Sequence, residues 1–216
     1  MRVLIAGGHG KIAMELTRIL AERGDEVRSL VRNPDHIAEV RDAGALEAFV
    51  CDLERSSADH VAEAVGAADV IVFAAGAGPG SGPERKETMD YGGVIKLLEA
   101  ADRNGIGRFV VISSMGADPD HGGTGTFDVY LRAKGRADAA VRESGLDHLI
   151  VRPGRLTDEP AAGAVAAGAS VERGEIPRAD VAAVIAELLA DWPGSRTIEV
   201  VGGRTPIEEL AEALAG

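Results

Sequence analysis

Short apolar runs alternate with longer amphipathic segments along the whole chain, and this alternation limits the possible folds more than any other feature. The apolar runs fall at residues 3–6, 26–31, 46–50, 69–75, 108–113, 146–151 and 197–201. Between them, apolar residues recur at helical spacing at about residues 12–23, 34–42, 56–65, 84–104, 128–144, 178–190 and 206–214. Strands that are apolar on both faces and alternate with helices predict an α/β protein with a parallel sheet covered by helices on both sides.

The alternation is interrupted between about residues 155 and 176, where Ala and Gly are frequent. We interpret this stretch as a small, irregular cap on the substrate side of one domain that spans residues 1–216. A chain of 216 residues can bury a core that is stable without disulfides or metals. The stretches 76–83 and 116–126 are rich in Gly and are predicted to be loops.

Composition excludes several classes of function. The chain has 35 Asp and Glu against 23 Lys and Arg, a net charge of −12, so we expect neither nucleic acid nor a membrane surface as a partner. Cys51 is the single cysteine and the histidines lack metal-ligand spacing, which predicts no disulfide, no metal site and a cytoplasmic location. The first eight residues do not resemble a signal peptide, and no apolar run is long enough to span a membrane. We expect a small-molecule substrate and a monomer or homodimer.

The first strand runs directly into a glycine turn, Gly7-Gly8-His9-Gly10-Lys11-Ile12-Ala13, which opens the first helix. The first glycine permits a tight turn, and Gly10 lets the backbone approach a diphosphate closely. The helix N-terminus offers unpaired N–H groups and a partial positive charge to the phosphates. In this context the turn predicts a dinucleotide site that includes Gly7, Gly8, His9, Gly10, Lys11 and Ile12. The alternative is a tight turn that binds no ligand.

Arg32 ends the second strand, 22 residues after Gly10. A cofactor with a free ribose 2′-hydroxyl usually meets an acidic residue at this place, whereas a 2′-phosphate favours arginine. The guanidinium also matches the geometry of a phosphate. The pattern therefore predicts NADP(H) rather than NAD(H) as cofactor, and the alternative is an ordinary exposed arginine.

Tyr130 and Lys134 lie four residues apart in a predicted helix and therefore share one of its faces. A phenol has an unperturbed pKa of about 10, and a neighbouring cation stabilises the phenolate and lowers that value. The pair is a candidate for general acid–base catalysis. The alternative is a packed tyrosine beside a solvated lysine. The charges at residues 84–87 are expected to be solvated at a helix start.

Several further short pieces complete a pattern that covers essentially the whole chain. Besides the glycine turn, Arg32 and the Tyr130/Lys134 pair, they are Cys51-Asp52-Leu53, Phe73-Ala74-Ala75-Gly76, Val111-Ile112-Ser113-Ser114 and Val151-Arg152-Pro153-Gly154. With these residues the chain resembles an atypical member of the short-chain dehydrogenase/reductase superfamily, of the NmrA-like and flavin-reductase-like kind. The resemblance implies a doubly wound Rossmann-type parallel sheet of order 3-2-1-4-5-6, to which a seventh short strand can be added.

The resemblance also implies roles for residues at the strand ends. Cofactor contacts would be made by Asp52 at the adenine amino group, Leu53 at its ring, Ala74, Ala75 and Gly76 beside the ribose, and Pro153 and Gly154 near the nicotinamide. Lys134 would hold the nicotinamide ribose and lower the pKa of Tyr130. Ser113 or Ser114 would bind the substrate carbonyl.

Two departures from the family pattern concern Ala13, which replaces the third glycine, and Asp90, which stands where extended members have an asparagine. The function expected is an NADP(H)-dependent oxidoreductase that transfers hydride between the nicotinamide and a small carbonyl, quinone or flavin-type acceptor. Two alternatives remain open. One is an NADP(H)-binding redox sensor or regulatory protein without turnover, and the other is a sugar-nucleotide epimerase or dehydratase.

Overall fold

The observed elements follow the predicted alternation of strands and helices. The computed structural model describes residues 1–78 and 80–215. Within these residues the strands are β1 (Arg2–Ala6), β2 (Glu26–Val31), β3 (Glu47–Val50), β4 (Val70–Phe73), β5 (Arg108–Ile112), β6 (Asp147–Pro153), β7 (Arg155–Thr157), β8 (Ala164–Gly168), β9 (Glu175–Pro177), β10 (Arg196–Gly202) and β11 (Thr205–Pro206). The helices are α1 (Lys11–Glu22), α2 (Ile37–Asp42), α3 (Ala58–Val65), α4 (Pro83–Arg85), α5 (Gly92–Asn104), α6 (Thr126–Glu143), α7 (Arg178–Ala190) and α8 (Leu210–Ala215). A π-helical turn, Lys86–Tyr91, joins α4 to α5.

The main sheet has the strand order β11-β8-β10-β6-β5-β4-β1-β2-β3. The predicted order 3-2-1-4-5-6 is confirmed, because β3, β2, β1, β4, β5 and β6 are consecutive neighbours and pair in parallel. The seventh strand is β10, which pairs in parallel with β6. The sheet then continues beyond the prediction, since β8 pairs antiparallel with β10 and β11 pairs antiparallel with β8.

The stretch 155–176 is more regular than the sequence indicates. β8 joins the main sheet beside β10, while β7 and β9 form a separate two-stranded parallel sheet. Small residues allow β8 to approach the chain that follows β10 closely. A Cβ atom added to Gly203 would lie 2.2 Å from the backbone nitrogen of Ala166 in β8. β8 consists mainly of Ala and Gly and lacks a run of β-branched residues, so its sequence carries little strand signal.

Two apolar layers cover the two faces of the sheet. One includes Leu16 of α1 and Val184 of α7, and the other includes Leu97 of α5 and Phe109 of β5. The chain runs from β1 to β2 on one side of the sheet and from β4 to β5 on the other, so a crevice opens at the carboxyl ends of β1 and β4, the usual ligand position in such sheets. Across residues 1–78 and 80–215, none of the helices has both the length and the apolar character that crossing a bilayer requires.

Candidate functional site

The glycine turn between β1 and α1 forms the floor of the crevice. The amides of Gly7 and Gly8 both donate hydrogen bonds to the carbonyl oxygen of Leu30, at 3.1 and 2.9 Å. Gly7 has a φ of +81°, and a Cβ atom there would lie 2.6 Å from the Cα of Ala75. Gly10 begins α1 without a capping side chain, so the first N–H groups of the helix are left for other partners. The turn therefore brings the free N–H groups at the start of α1 to the end of the crevice.

A cavity of about 390 Å³ lies above this turn. Its walls contain residues that the sequence assigns to the cofactor: Gly7, His9, Gly10, Arg32, Leu53, Ala74, Ala75 and Gly76. Asp52 lies instead at an adjoining depression, where its carboxylate accepts a hydrogen bond from the amide of Glu54 at 3.0 Å. Most of the predicted cofactor residues thus converge on one cavity, with Asp52 beside it.

Arg32 and Arg85 lie on either side of the carboxylate of Glu54. The Arg85 guanidinium, from α4, binds Glu54 through Nη2 at 2.5 Å and Nε at 3.1 Å. Arg32 is 58% exposed and lies 3.8 Å from the same carboxylate. The hydrogen bonds from Arg85 lower the pKa of Glu54, which keeps this carboxylate charged. The expectation that residue 85 is merely solvated is therefore wrong, because Arg85 lines the same cavity as Arg32.

A second cavity, of about 760 Å³, adjoins the first and shares Ala74, Ala75 and Gly76 in its walls. Tyr130, Lys134 and Ser113 line it, together with Ile12 of the glycine turn. The elements that position them are α6, which carries the Tyr130/Lys134 pair, and β5, which Ser113 follows directly. Three of the four predicted catalytic residues therefore lie at one cavity, next to the predicted dinucleotide site.

Lys134 is completely buried, and two groups hold its ammonium. Its Nζ donates a hydrogen bond to the carbonyl oxygen of Ile112 at 2.9 Å and lies 3.4 Å from Oδ1 of Asp90. Burial disfavours the charged form, but Tyr130 and Asp90 outweigh it and raise the pKa of Lys134 above its ordinary value. The Nζ atom lies 5.9 Å from the centre of the Tyr130 ring. The arrangement maintains a positive charge beside the phenol.

Asp90 is a functional candidate that the sequence analysis did not identify. Its side chain is buried, and Oδ2 accepts a hydrogen bond from the amide of Ala77 at 3.3 Å while Oδ1 faces Lys134. The π-helical turn places this side chain towards the cavity, and such turns often occur at functional sites. The departure from asparagine therefore supplies a counter-charge for Lys134.

The two candidate serines differ in position. Ser113 is buried and lines the wall of the second cavity. Ser114 Oγ donates to the carbonyl oxygen of Met115 at 3.3 Å and does not line either cavity. Ser113 is therefore the serine available to a ligand.

Behind Ser113, a buried ion pair joins α6 to β6. Asp138 is fully buried; its Oδ2 accepts a hydrogen bond from Nε of Arg152 at 2.9 Å and lies 2.8 Å from Nη2 of the same guanidinium. Burial raises the pKa of Asp138, and the neighbouring Ser113 hydroxyl and the Arg152 guanidinium oppose this shift. The pair lies outside the walls of both cavities and links α6 to the sheet.

Four other residues that the sequence assigns to the cofactor do not line the second cavity. Lys11 extends to Asp158, with Nζ 2.6 Å from Oδ2, and His9 contacts Glu39 at 2.9 Å. Pro153 is the last residue of β6 and Gly154 follows it; neither lines either cavity. The amide of Gly154 donates a hydrogen bond to the carbonyl oxygen of Val200. Leu156, two residues further along, lines the second cavity in their place.

Comparison with known proteins places the chain in a family. Residues 7–192 match a family described as NAD(P)H-binding. The chain is 36% identical over 216 residues to an uncharacterized sugar epimerase, YhfK, of Bacillus subtilis, covering 99% of this chain and 100% of the relative. Among solved structures, a putative NAD-dependent epimerase/dehydratase from Bacillus halodurans has a TM-score of 0.91 and 39% identity, covering 99% of this chain and 100% of that one. The oxidoreductase YlbE from Lactococcus lactis has a TM-score of 0.86 and 26% identity, covering 99% and 96%.

Proposed function

The chain belongs to the NAD(P)H-binding family of atypical short-chain dehydrogenases/reductases, and from this premise we propose that it is an NADP(H)-dependent oxidoreductase acting on a small carbonyl, quinone or flavin-type acceptor. The observation that carries the proposal is the buried Lys134 ammonium beside Tyr130, in a cavity that adjoins the glycine turn. A binding domain needs the turn but not a charged lysine next to a phenol. The pair is suited to proton transfer.

The residues present fit a dinucleotide. A Cβ atom on Gly8 would meet the Ser29 hydroxyl at 1.6 Å, so the turn requires glycine there, while Gly7 and Gly10 line the first cavity. The glycine turn would let the pyrophosphate approach the backbone closely, and the free N–H groups at the start of α1 would hold it. When bound, the nicotinamide supplies or accepts the hydride.

The protein's own groups would handle the proton and the substrate oxygen. Tyr130 would give a proton to the oxygen of the acceptor during reduction and take it back during oxidation. Lys134 would stabilise the phenolate, and Asp90 would keep Lys134 in place. Ser113, which lines the same cavity as Tyr130, would donate a hydrogen bond to the same substrate oxygen.

NADP(H) preference is supported by the two arginines at the first cavity. Arg32 and Arg85 together present two guanidinium groups where a ribose 2′-phosphate would lie, and Glu54 holds Arg85 in position. Arginine binds phosphate through two parallel hydrogen bonds. We therefore expect NADPH to bind more tightly than NADH.

The test is a panel of carbonyls, quinones and flavins with NADPH, followed by loss of absorbance. On any active substrate, Tyr130→Phe should lower kcat by roughly 100-fold or more, the usual contribution of a positioned acid–base group, while NADPH affinity stays near the wild-type value. Tyr91→Phe is the matched control, since Tyr91 lies outside both cavities against Arg136. A fully active Tyr130→Phe enzyme would remove the proposed role of the phenol.

The names of two relatives favour a second candidate, epimerisation or dehydration of a nucleotide-linked sugar. Such a reaction would use the same cofactor site but return the hydride to the substrate, so no net NADPH would be consumed. Incubation with sugar nucleotides and product analysis distinguishes it. Silence in both assays with tight cofactor binding would instead indicate a redox sensor.

A further inference from the structure

Lys86 is a buried cation whose role the proposed reaction does not use. Its side chain is only 8% exposed, contrary to the solvated position that the sequence predicts for residues 84–87. It projects from the π-helical turn into the wall of the second cavity. There its Nζ donates a hydrogen bond to the carbonyl oxygen of Gly78 at 2.9 Å and lies 5.5 Å from the centre of the Tyr130 ring.

No carboxylate of residues 1–78 and 80–215 lies within salt-bridge distance of Lys86, and the acids next to it are engaged elsewhere. Glu87 binds Arg136 at 2.6 Å, and Asp90 faces Lys134. The two lysines of this cavity therefore differ, since Lys134 has a carboxylate as counter-charge, whereas Lys86 contacts a carbonyl oxygen and the Tyr130 ring. Burying an ammonium without an opposite charge is costly. Such a site is suited to a ligand that supplies the missing negative charge.

The cofactor phosphates do not explain Lys86. The glycine turn and both arginines that face the expected phosphates, Arg32 and Arg85, line the first cavity. Of the two cavities, Lys86 lines only the second, which Tyr130 also lines. Its ammonium therefore lies in the part of the crevice assigned to the substrate.

The rim of the same cavity carries an exposed aromatic ring. Phe127 is 65% exposed, and its ring stacks against that of Tyr130 with centres 5.8 Å apart and an angle of 28° between the planes. Aromatic side chains are usually buried, and an exposed one at a cavity offers a flat apolar surface to a planar ligand. The Lys86 ammonium and the Phe127 ring together are suited to a planar ligand that carries a negative charge.

We propose that the second cavity selects acceptors with an anionic group, of which a carboxylate is the simplest, bound by Lys86 with the planar part against Phe127. This inference rests on the proposed function in one respect, namely that the second cavity is the substrate site. The charge selection itself requires no turnover.

Equilibrium binding of a redox-inactive pair tests it, with naphthalene-2-carboxylate and its uncharged methyl ester titrated calorimetrically into the full chain with and without NADP⁺. Wild-type protein should bind the carboxylate roughly 10- to 100-fold more tightly than the ester, as expected for a charged hydrogen bond in a partly dry site. Lys86→Gln should abolish this preference, and Lys86→Arg should retain most of it. Arg136→Gln, which removes an equal charge from α6 outside the cavity, should leave it unchanged.

Equal binding of the two probes by the wild type, no binding of the carboxylate at millimolar concentration, or a preference that survives Lys86→Gln would each overturn the inference. A loss of NADP⁺ affinity in Lys86→Gln without a change in probe preference would also overturn it, because Lys86 would then bind the cofactor. The outcomes are separable from those of the catalytic test. A chain that discriminates the probes but never oxidises NADPH would keep the anion site and lose the proposed reaction.

Discussion

Replacing Asp90 by asparagine tests whether this carboxylate is the counter-charge of Lys134. Removing one partner of a buried ion pair costs about 3–5 kcal/mol. Asparagine has nearly the same shape and can still accept the hydrogen bond from the Ala77 amide, so we expect about 2–3 kcal/mol here. For a chain of this size that corresponds to a Tm lower by roughly 5–10 °C.

Urea unfolding at pH 7, followed by circular dichroism, measures this loss. The control is Glu87→Gln, which breaks an exposed pair with Arg136 and should cost at most about 1 kcal/mol. The double variant Asp90→Asn/Lys134→Met should lose less than the sum of its single variants, because the unpaired ammonium is then absent.

The pH dependence of the Asp90→Asn effect follows from the raised pKa of Lys134. A raised lysine pKa stabilises the fold below the unfolded value of 10.5, and this contribution is lost as pH rises through the folded pKa. The difference between wild type and Asp90→Asn should therefore be full at neutral pH and shrink above about pH 10.5. An Asp90→Asn protein within about 0.5 kcal/mol of wild type at pH 7, or strict additivity in the double variant, would refute the reasoning.

Three further perturbations probe the surrounding structure. Gly7→Ala places a methyl group against Ala75 at a φ of +81°, so it should lower both thermal stability and NADPH affinity, the latter at least about tenfold by fluorescence titration. Arg32→Ala should weaken NADPH binding by roughly 10-fold or more and leave NADH binding nearly unchanged; equal losses for both cofactors would contradict the 2′-phosphate role. Arg152→Met leaves the Asp138 carboxylate buried without its partner, so it should cost about 3 kcal/mol at pH 7. Because burial raises the pKa of Asp138, this cost should fall when unfolding is measured at pH 5, where the carboxyl protonates more readily.

The strand order could be predicted because each core strand is a continuous apolar run and each connection has helical periodicity. The glycine turn could also be predicted from the sequence, since its position between β1 and α1 restricts its conformation. These features depend on local sequence. β8 could not be predicted from the sequence, because Ala164–Gly168 is held by backbone pairing with β10 rather than by its own strand propensity.

The candidate site was only partly predictable, for a similar reason. Tyr130 and Lys134 share a helix, so their spacing alone places them together. Lys86 and Asp90 reach the same cavity through a π-helical turn, and a run of mixed charges at a helix start gives no sign of such a turn. The choice between Ser113 and Ser114 likewise depends on which side chain β5 directs into the cavity.

The central claim is that the glycine turn and the adjoining Tyr130 cavity together form one dinucleotide-dependent site. The most direct measurement is a crystal structure of the chain with NADP⁺. We predict the pyrophosphate at the glycine turn, on the free N–H groups at the start of α1, the 2′-phosphate beside Arg32 and the nicotinamide ring in the cavity lined by Tyr130 and Lys134. A dinucleotide bound elsewhere, or a turn that remains empty at saturating NADP⁺, would contradict the account.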